Sequence, residues 1–104
     1  MTVAARLPTM TKKSTERRTV TFDFTLPASG DPLVGSAVMQ GAAGAVVPTG
    51  ITVGIPDLPS DYFVTVDVSG GTHGAAYELH CLVGTTSGNT LDLGTWIAID
   101  DQRN

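Results

Sequence analysis

Asp61-Tyr-Phe-Val-Thr-Val-Asp-Val68, Tyr77-Glu-Leu-His-Cys-Leu-Val83 and Leu91-Asp-Leu-Gly-Thr-Trp-Ile-Ala-Ile99 place apolar residues at alternate positions. In an extended chain successive side chains leave opposite faces, so a period of two marks strands that are buried on one side. Tyr62, Val64, Val66 and Val68 share one face, as do Tyr77, Leu79, Cys81 and Val83, and then Leu91, Leu93, Ile97 and Ile99. Gly70-Gly-Thr-His-Gly74 and the short loop Ser87-Gly-Asn89 supply the turns between these runs.

Towards the N-terminus, Thr19 to Leu26 repeats the pattern with Val20, Phe22, Phe24 and Leu26 inward. Leu33 to Gln40 is a weaker strand because Gly35, Ser36 and Ala37 interrupt its apolar face. Gly41 to Gly44 reads as a turn. Ala45–Val47 and Ile51–Ile55 are short strand pieces bounded by Pro48, Gly50 and Pro56, and prolines favour edge positions. No segment sustains a 3.6-residue period, so helix should be nearly absent. The pattern predicts an all-β, immunoglobulin-like antiparallel β-sandwich of about seven short strands, with a small jelly roll or open barrel as the competing architecture. The buried Trp packed on a disulfide that marks antibody domains is missing, since Trp96 has outward parity and Cys81 is the single cysteine.

Composition narrows the function classes. A chain of 104 residues forms one domain, and it buries roughly 60–68 % of its unfolded surface, which disfavours a large internal ligand cavity. Charged residues are 15 % where about 25 % is usual, and 12 Gly and 6 Pro suit many turns. With Cys81, His73 and His80 as the whole set of soft ligands, neither a disulfide framework nor a structural zinc site is expected. Nor is a secretory leader or a membrane span.

The net charge of -4 is polarised. Residues 1–18 set Arg6, Lys12, Lys13, Arg17 and Arg18 against Glu16, a balance of +4, and residues 19–104 set Arg103 against nine carboxylates, a balance of -8. We therefore expect a flexible, extended basic arm over 1–18 and a β-sandwich domain over 19–104, the arm's five cations being candidate contacts for an acidic neighbour. No aromatic residues interleave with those cations to stack bases, so nucleic acid is not an expected partner.

Pairing the last two runs about a three-residue loop at Ser87–Asn89 sets His80 opposite Trp96, Leu82 opposite Gly94 and Glu78 opposite Ala98. Laying the preceding run alongside adds Phe63 beside Leu82 and Thr65 beside His80. Phe63, His80, Leu82 and Trp96 then form one outward patch, a candidate docking face. The same alignment sets Asp67 beside Glu78, an unfavourable pair of like charges. Catalytic, cofactor-binding and metal residues are not expected. His80 and Cys81 are neighbours on a strand and leave opposite faces, so they make no nucleophile–base pair. The Gly70–Gly74 run lacks the Lys of a phosphate loop, and Asp57, Asp61, Asp100 and Asp101 lack the spacing of a calcium loop.

The order of motifs resembles a known family. The opening strand Thr-Val-Thr-Phe-Asp-Phe (19–24), Pro48-Thr-Gly-Ile-Thr-Val53, Ser69-Gly-Gly-Thr72 with Gly74 and Tyr77, and Thr85-Thr-Ser-Gly-Asn-Thr90 are similar to those of the bacteriophage fiber–tail adaptor proteins, small virion proteins of tailed phages. The resemblance covers roughly Thr19 to Asp101. It implies a non-enzymatic structural protein of the virion, assembled in the host cytoplasm, present in multiple copies in a symmetric assembly and joining neck or tail components such as fibers. In that role the outer sheet face and the arm would be its docking surfaces. The competing readings are a capsid decoration or cement protein using the same sandwich and arm, and a carbohydrate- or cell-surface-binding module using Trp96, His80 and loop carboxylates.

Overall fold

A computed structural model describes residues 2–41 and 45–102, with side chains from Leu7 onward. The three best-patterned runs become β6 (Phe63–Gly70), β7 (Ala76–Thr85) and β8 (Thr90–Ile99). Ahead of them lie β1 (Thr2–Arg6), β2 (Met10–Lys12), β3 (Arg18–Asp23), a single helical turn α1 (Thr25–Ala28), β4 (Leu33–Gln40) and β5 (Ile51–Val53). They form two sheets: the larger runs β1-β8-β7-β4 with β2 also on β8, and the smaller runs β3-β6-β5. The expected all-β sandwich is therefore the architecture of this chain.

Alternation builds the core. Val20, Phe22, Val64, Val66 and Val68 project from the smaller sheet to meet Leu79, Cys81, Val83, Leu91, Leu93, Ile97 and Ile99 from the larger one. Phe24, Ala28 and Leu33 close one end, where Phe24 N–H donates to Tyr62 O at 2.8 Å and Leu33 N–H to Asp61 O at 2.8 Å. Burying a side chain the size of Phe22 contributes roughly 1.5–3 kcal/mol. The turn α1 carries the chain between sheets: Asp23 Oδ1 accepts from Thr25 N–H and Oγ1 at its start, and Ser29 in the left-handed region ends it.

Two pairing expectations are corrected. The β7–β8 hairpin is shifted by two residues, so His80 faces Gly94, Leu82 faces Asp92 and Glu78 faces Trp96. A three-residue hairpin loop needs positive φ at its third position, and that residue is Gly88, with φ 89. The loop is accordingly Thr86–Gly88, closed by Thr85 N–H to Asn89 O at 2.9 Å, and Asp31 holds it by accepting from Ser87 N–H and Oγ. The second correction concerns β6, which lies in the opposite sheet from β7. Both of its edges are taken, by β3 and by β5, so β7 has no edge to join. Phe63 pairs with Asp23 and Thr65 with Thr21, and the feared Asp67–Glu78 pair does not arise. Inward parity survives both corrections because each strand is buried against the same core.

Ala45–Val47 is not a strand, and the second, third and fourth residues of the turn expected at Gly41–Gly44 lie outside the described residues. The basic leader is in part sheet. Thr2–Arg6 and Met10–Lys12 run parallel to β8, in register from Thr2 with Thr90 to Arg6 with Gly94 and from Met10 with Ile97 to Lys12 with Ile99.

Candidate docking face

The outward row of the larger sheet combines three strands. Val34, Val38 and Gln40 of β4 stand opposite Gly84, Leu82 and His80 of β7, which stand opposite Thr90, Asp92 and Gly94 of β8. Val34 is 46 % exposed, Val38 52 % and Trp96 38 %. A register shift between Val34 and Val38 bends β4, and a shallow groove opens beside it, lined among others by Ser36, Val38, Gln40, Leu82 and Thr90.

His80 occupies the centre of this face. Its Nδ1 lies 2.8 Å from Asp92 Oδ1 and its Nε2 lies 2.8 Å from Glu78 Oε2. Burial disfavours its charged form, but the hydrogen bonds and charges of Glu78 and Asp92 outweigh that, and the imidazole pKa is raised above its ordinary 6.5. With both nitrogens protonated, each donates to one carboxylate. The ring lies flat on β8 because residue 94 is glycine: a Cβ there would stand 2.6 Å from His80 Cε1 and 2.9 Å from Nδ1.

Sequence reasoning selected this face but misjudged its membership. Leu82, His80 and Trp96 share it, whereas Phe63, 38 % exposed, belongs to the other sheet. Trp96 sits opposite Glu78 rather than His80, so the carboxylate–imidazole cluster stands between an apolar area at Val38 and Leu82 and a second at Trp96. Leu26, expected inward, is instead 89 % exposed, because the strand ends at Asp23 and the chain turns through α1; Val46 and Ile55 are exposed too, outside the strands, and single apolar side chains of that kind are normal.

The arm residues divide. Arg6 pairs through its backbone with Gly94. Lys12 turns inward and is fully buried, its Nζ donating to Lys13 O and Gly70 O at 2.6 Å each, so it is not an outward cation. Desolvation lowers its pKa against the opposing pull of Glu16 and Asp101. The parity of so short a strand, and its parallel pairing, left no alternation that would have revealed this. Lys13 donates its N–H to Glu16, Arg18 lies 3.5 Å from Glu16, and Arg17 donates to Asp67 Oδ2 at 3.0 Å.

Cys81 projects to the core behind His80, and burial pushes its thiol up to about 12. A thiol so placed is a poor nucleophile at neutral pH. Among the described residues no group of His, Cys, Asp and Glu is arranged to hold a metal ion. What this face can do is pack: apolar side chains flank a bonded, partly buried charge cluster, the anatomy of a protein contact surface.

The family model described as podophage GP4 fiber-tail adaptor protein gp77 matches residues 12–98, which span the chain from the last residue of β2 nearly to the end of β8. No curated protein matches the chain.

Proposed function

Because this chain belongs to the podophage fiber-tail adaptor family, a family of structural virion components of the phage tail, we propose that it joins fiber to tail through the outer face of its larger sheet. The reading rests on one observation above the others: the apolar exposure of that sheet gathers at Val34, Val38, Leu82 and Trp96 around His80. Tryptophan at the centre of an interface contributes a large share of binding energy when it is desolvated. The sandwich serves as a rigid spacer, and no step of this role requires chemistry.

Several copies act together in this reading. Weak contacts repeated around a symmetric assembly add through effective concentration, so a face of modest area suffices in each copy. The basic residues Lys13, Arg17 and Arg18 stand at the turn into β3 and supply a second contact to an acidic neighbour. The protein assembles into the particle after synthesis in the host cytoplasm.

The test is particle assembly with Trp96→Ala beside Thr21→Ala, a change on the outer face of the smaller sheet. Electron cryo-microscopy is expected to show the unaltered chain at the tail, and fiber occupancy to fall with Trp96→Ala alone. Undiminished fiber occupancy with Trp96→Ala would remove the docking face, and density over the head shell would make the chain a decoration protein.

A further inference from the structure

The outer face of the larger sheet carries one more hydrogen bond at His80 than a neutral imidazole can donate. An ionised carboxylate only accepts, and a neutral ring has one N–H and one lone pair. Both ring nitrogens nevertheless stand 2.8 Å from a carboxylate oxygen, Nδ1 from Asp92 and Nε2 from Glu78. The three groups therefore keep both bonds only while the ring carries its second proton. Water is a poor substitute for that donor, since the side chains of His80, Glu78 and Asp92 are 15 %, 17 % and 26 % exposed. Each neighbouring strand contributes to the setting: β7 supplies Glu78, β8 supplies Asp92, β4 places the neutral Gln40 opposite His80, and β1 places Arg6 in register with Gly94. Cys81, the next residue of β7, projects to the core instead.

We propose that this second proton on His80 switches docking: with it the outer face is one bonded surface that a partner can cover, and without it one carboxylate turns away from the ring and docking weakens. Loss of the proton leaves a ring lone pair facing a carboxylate oxygen at hydrogen-bond distance, and the two repel. The ring is seated on Gly94 and cannot withdraw into the sheet, so the carboxylate is the group that moves. The cluster also gains one unit of negative charge. A partner that covers Val38, Leu82 and Trp96 must cover the cluster as well, because it lies between them. Covering a bonded charge is tolerable, whereas covering one that has lost a hydrogen-bond donor is costly. By linkage, a partner that prefers the bonded face also strengthens the ring's hold on its proton. Trp96 stands opposite Glu78 and is the single tryptophan of the chain, so its emission reports on the cluster.

This inference rests on the adaptor reading for what docks but not for the proton, and the experiment separates the two. The ring nitrogen resonances of the purified full chain are followed across pH together with the emission of Trp96. His80 is expected to keep protons on both nitrogens past pH 6.5 and to release one above it, with the emission changing at the same midpoint. His73→Gln should leave that midpoint in place, and His80→Gln should abolish the emission change. A His80 ring that titrates at or below 6.5, or an emission that stays flat while the ring titrates, would overturn the proposal. Particles are then held on either side of the measured midpoint and their fiber occupancy is read by electron cryo-microscopy. Occupancy is expected to drop on the alkaline side for the unaltered chain and to be equal on both sides for His80→Gln. No drop, or the same drop in both, would overturn the coupling to docking. If Trp96→Ala particles keep their fibers, the docking face itself fails, and the ring and emission titrations still decide whether the proton holds the cluster together.

Discussion

The outer faces of the two sheets are made by the same alternation and differ in what alternates. On the smaller sheet the outward positions are Thr19, Thr21 and Asp23 of β3, Thr52 of β5, and Phe63, Thr65, Asp67 and Ser69 of β6, so that all but Phe63, at the start of β6, are polar. Asp67 accepts from Thr19 Oγ1 at 2.7 Å and from Arg17 at 3.0 Å, and apart from Phe63 this is a face of hydroxyls and carboxylates. On the larger sheet Val34, Val38, Leu82 and Trp96 take those positions, with His80 held between two carboxylates. Inward residues of both sheets report the fold. The outward residues differ in kind: mostly polar on the smaller sheet, and on the larger one an apolar set that is the proposed contact.

That comparison supposes one cooperative body with two different faces. Phe22→Ala removes a fully buried ring that both sheets contact through the core, and we expect a loss of about 3–5 kcal/mol in urea unfolding with a single transition. Two separated transitions would mean that the faces belong to independent units.

Gly94→Ala tests the larger face by itself. The new Cβ would occupy the space of the His80 ring, displacing it from Asp92 at a cost of about 1–3 kcal/mol. Thr21→Ala on the smaller face should stay within about 0.5 kcal/mol of the parent. Equal losses at the two positions would erase the difference between the faces.

The smallest effect is a difference in pH response. The pKa of His80 is raised in the folded chain, so its stabilisation is fully present below the ordinary 6.5 and is lost as pH rises through the higher folded value. Asp67 behaves oppositely: the Thr19 hydrogen bond, followed by Arg17, lowers its pKa, so its stabilisation is present above the ordinary 3.8 and is lost as pH falls through the lower folded value. Urea midpoints followed across pH should therefore decline at both ends. His80→Gln is expected to flatten the upper limb and Asp67→Asn the lower one, and a shared limb for both variants would show that the two faces are not separately titrated.

Much of the fold was legible in the sequence, and the limits of that legibility are physical. Val64, Val66, Val68, Leu79, Cys81, Val83, Leu91, Leu93, Ile97 and Ile99 were all assigned inward and are all buried, because burial of one strand face is written in that strand alone. The two-residue shift of the β7–β8 hairpin was legible as well, since Gly88 is the glycine that its loop needs in the left-handed region. Phe63 was placed on the docking face by an assumption about neighbours. Strand partners are chosen by the whole sandwich, and β6 finds both of its partners elsewhere.

Lys12 and the parallel strands show the deeper boundary. A lysine in a basic stretch carries no sign of burial, and what makes its burial tolerable is the carbonyls of Lys13 and Gly70, the latter 58 positions away, together with the charges of Glu16 and Asp101. The sequence by itself determined that this chain is a β-sandwich, which side chains of its well-alternating strands face the core, and that His80, Leu82 and Trp96 share an outer face. Tertiary structure alone decided which strands are neighbours, that Phe63 and Lys12 leave the surfaces first assigned to them, and that the leader lies on β8. Alternation acts between adjacent residues, whereas pairing and the desolvation of a charge depend on groups that the folded chain brings together from far along its length.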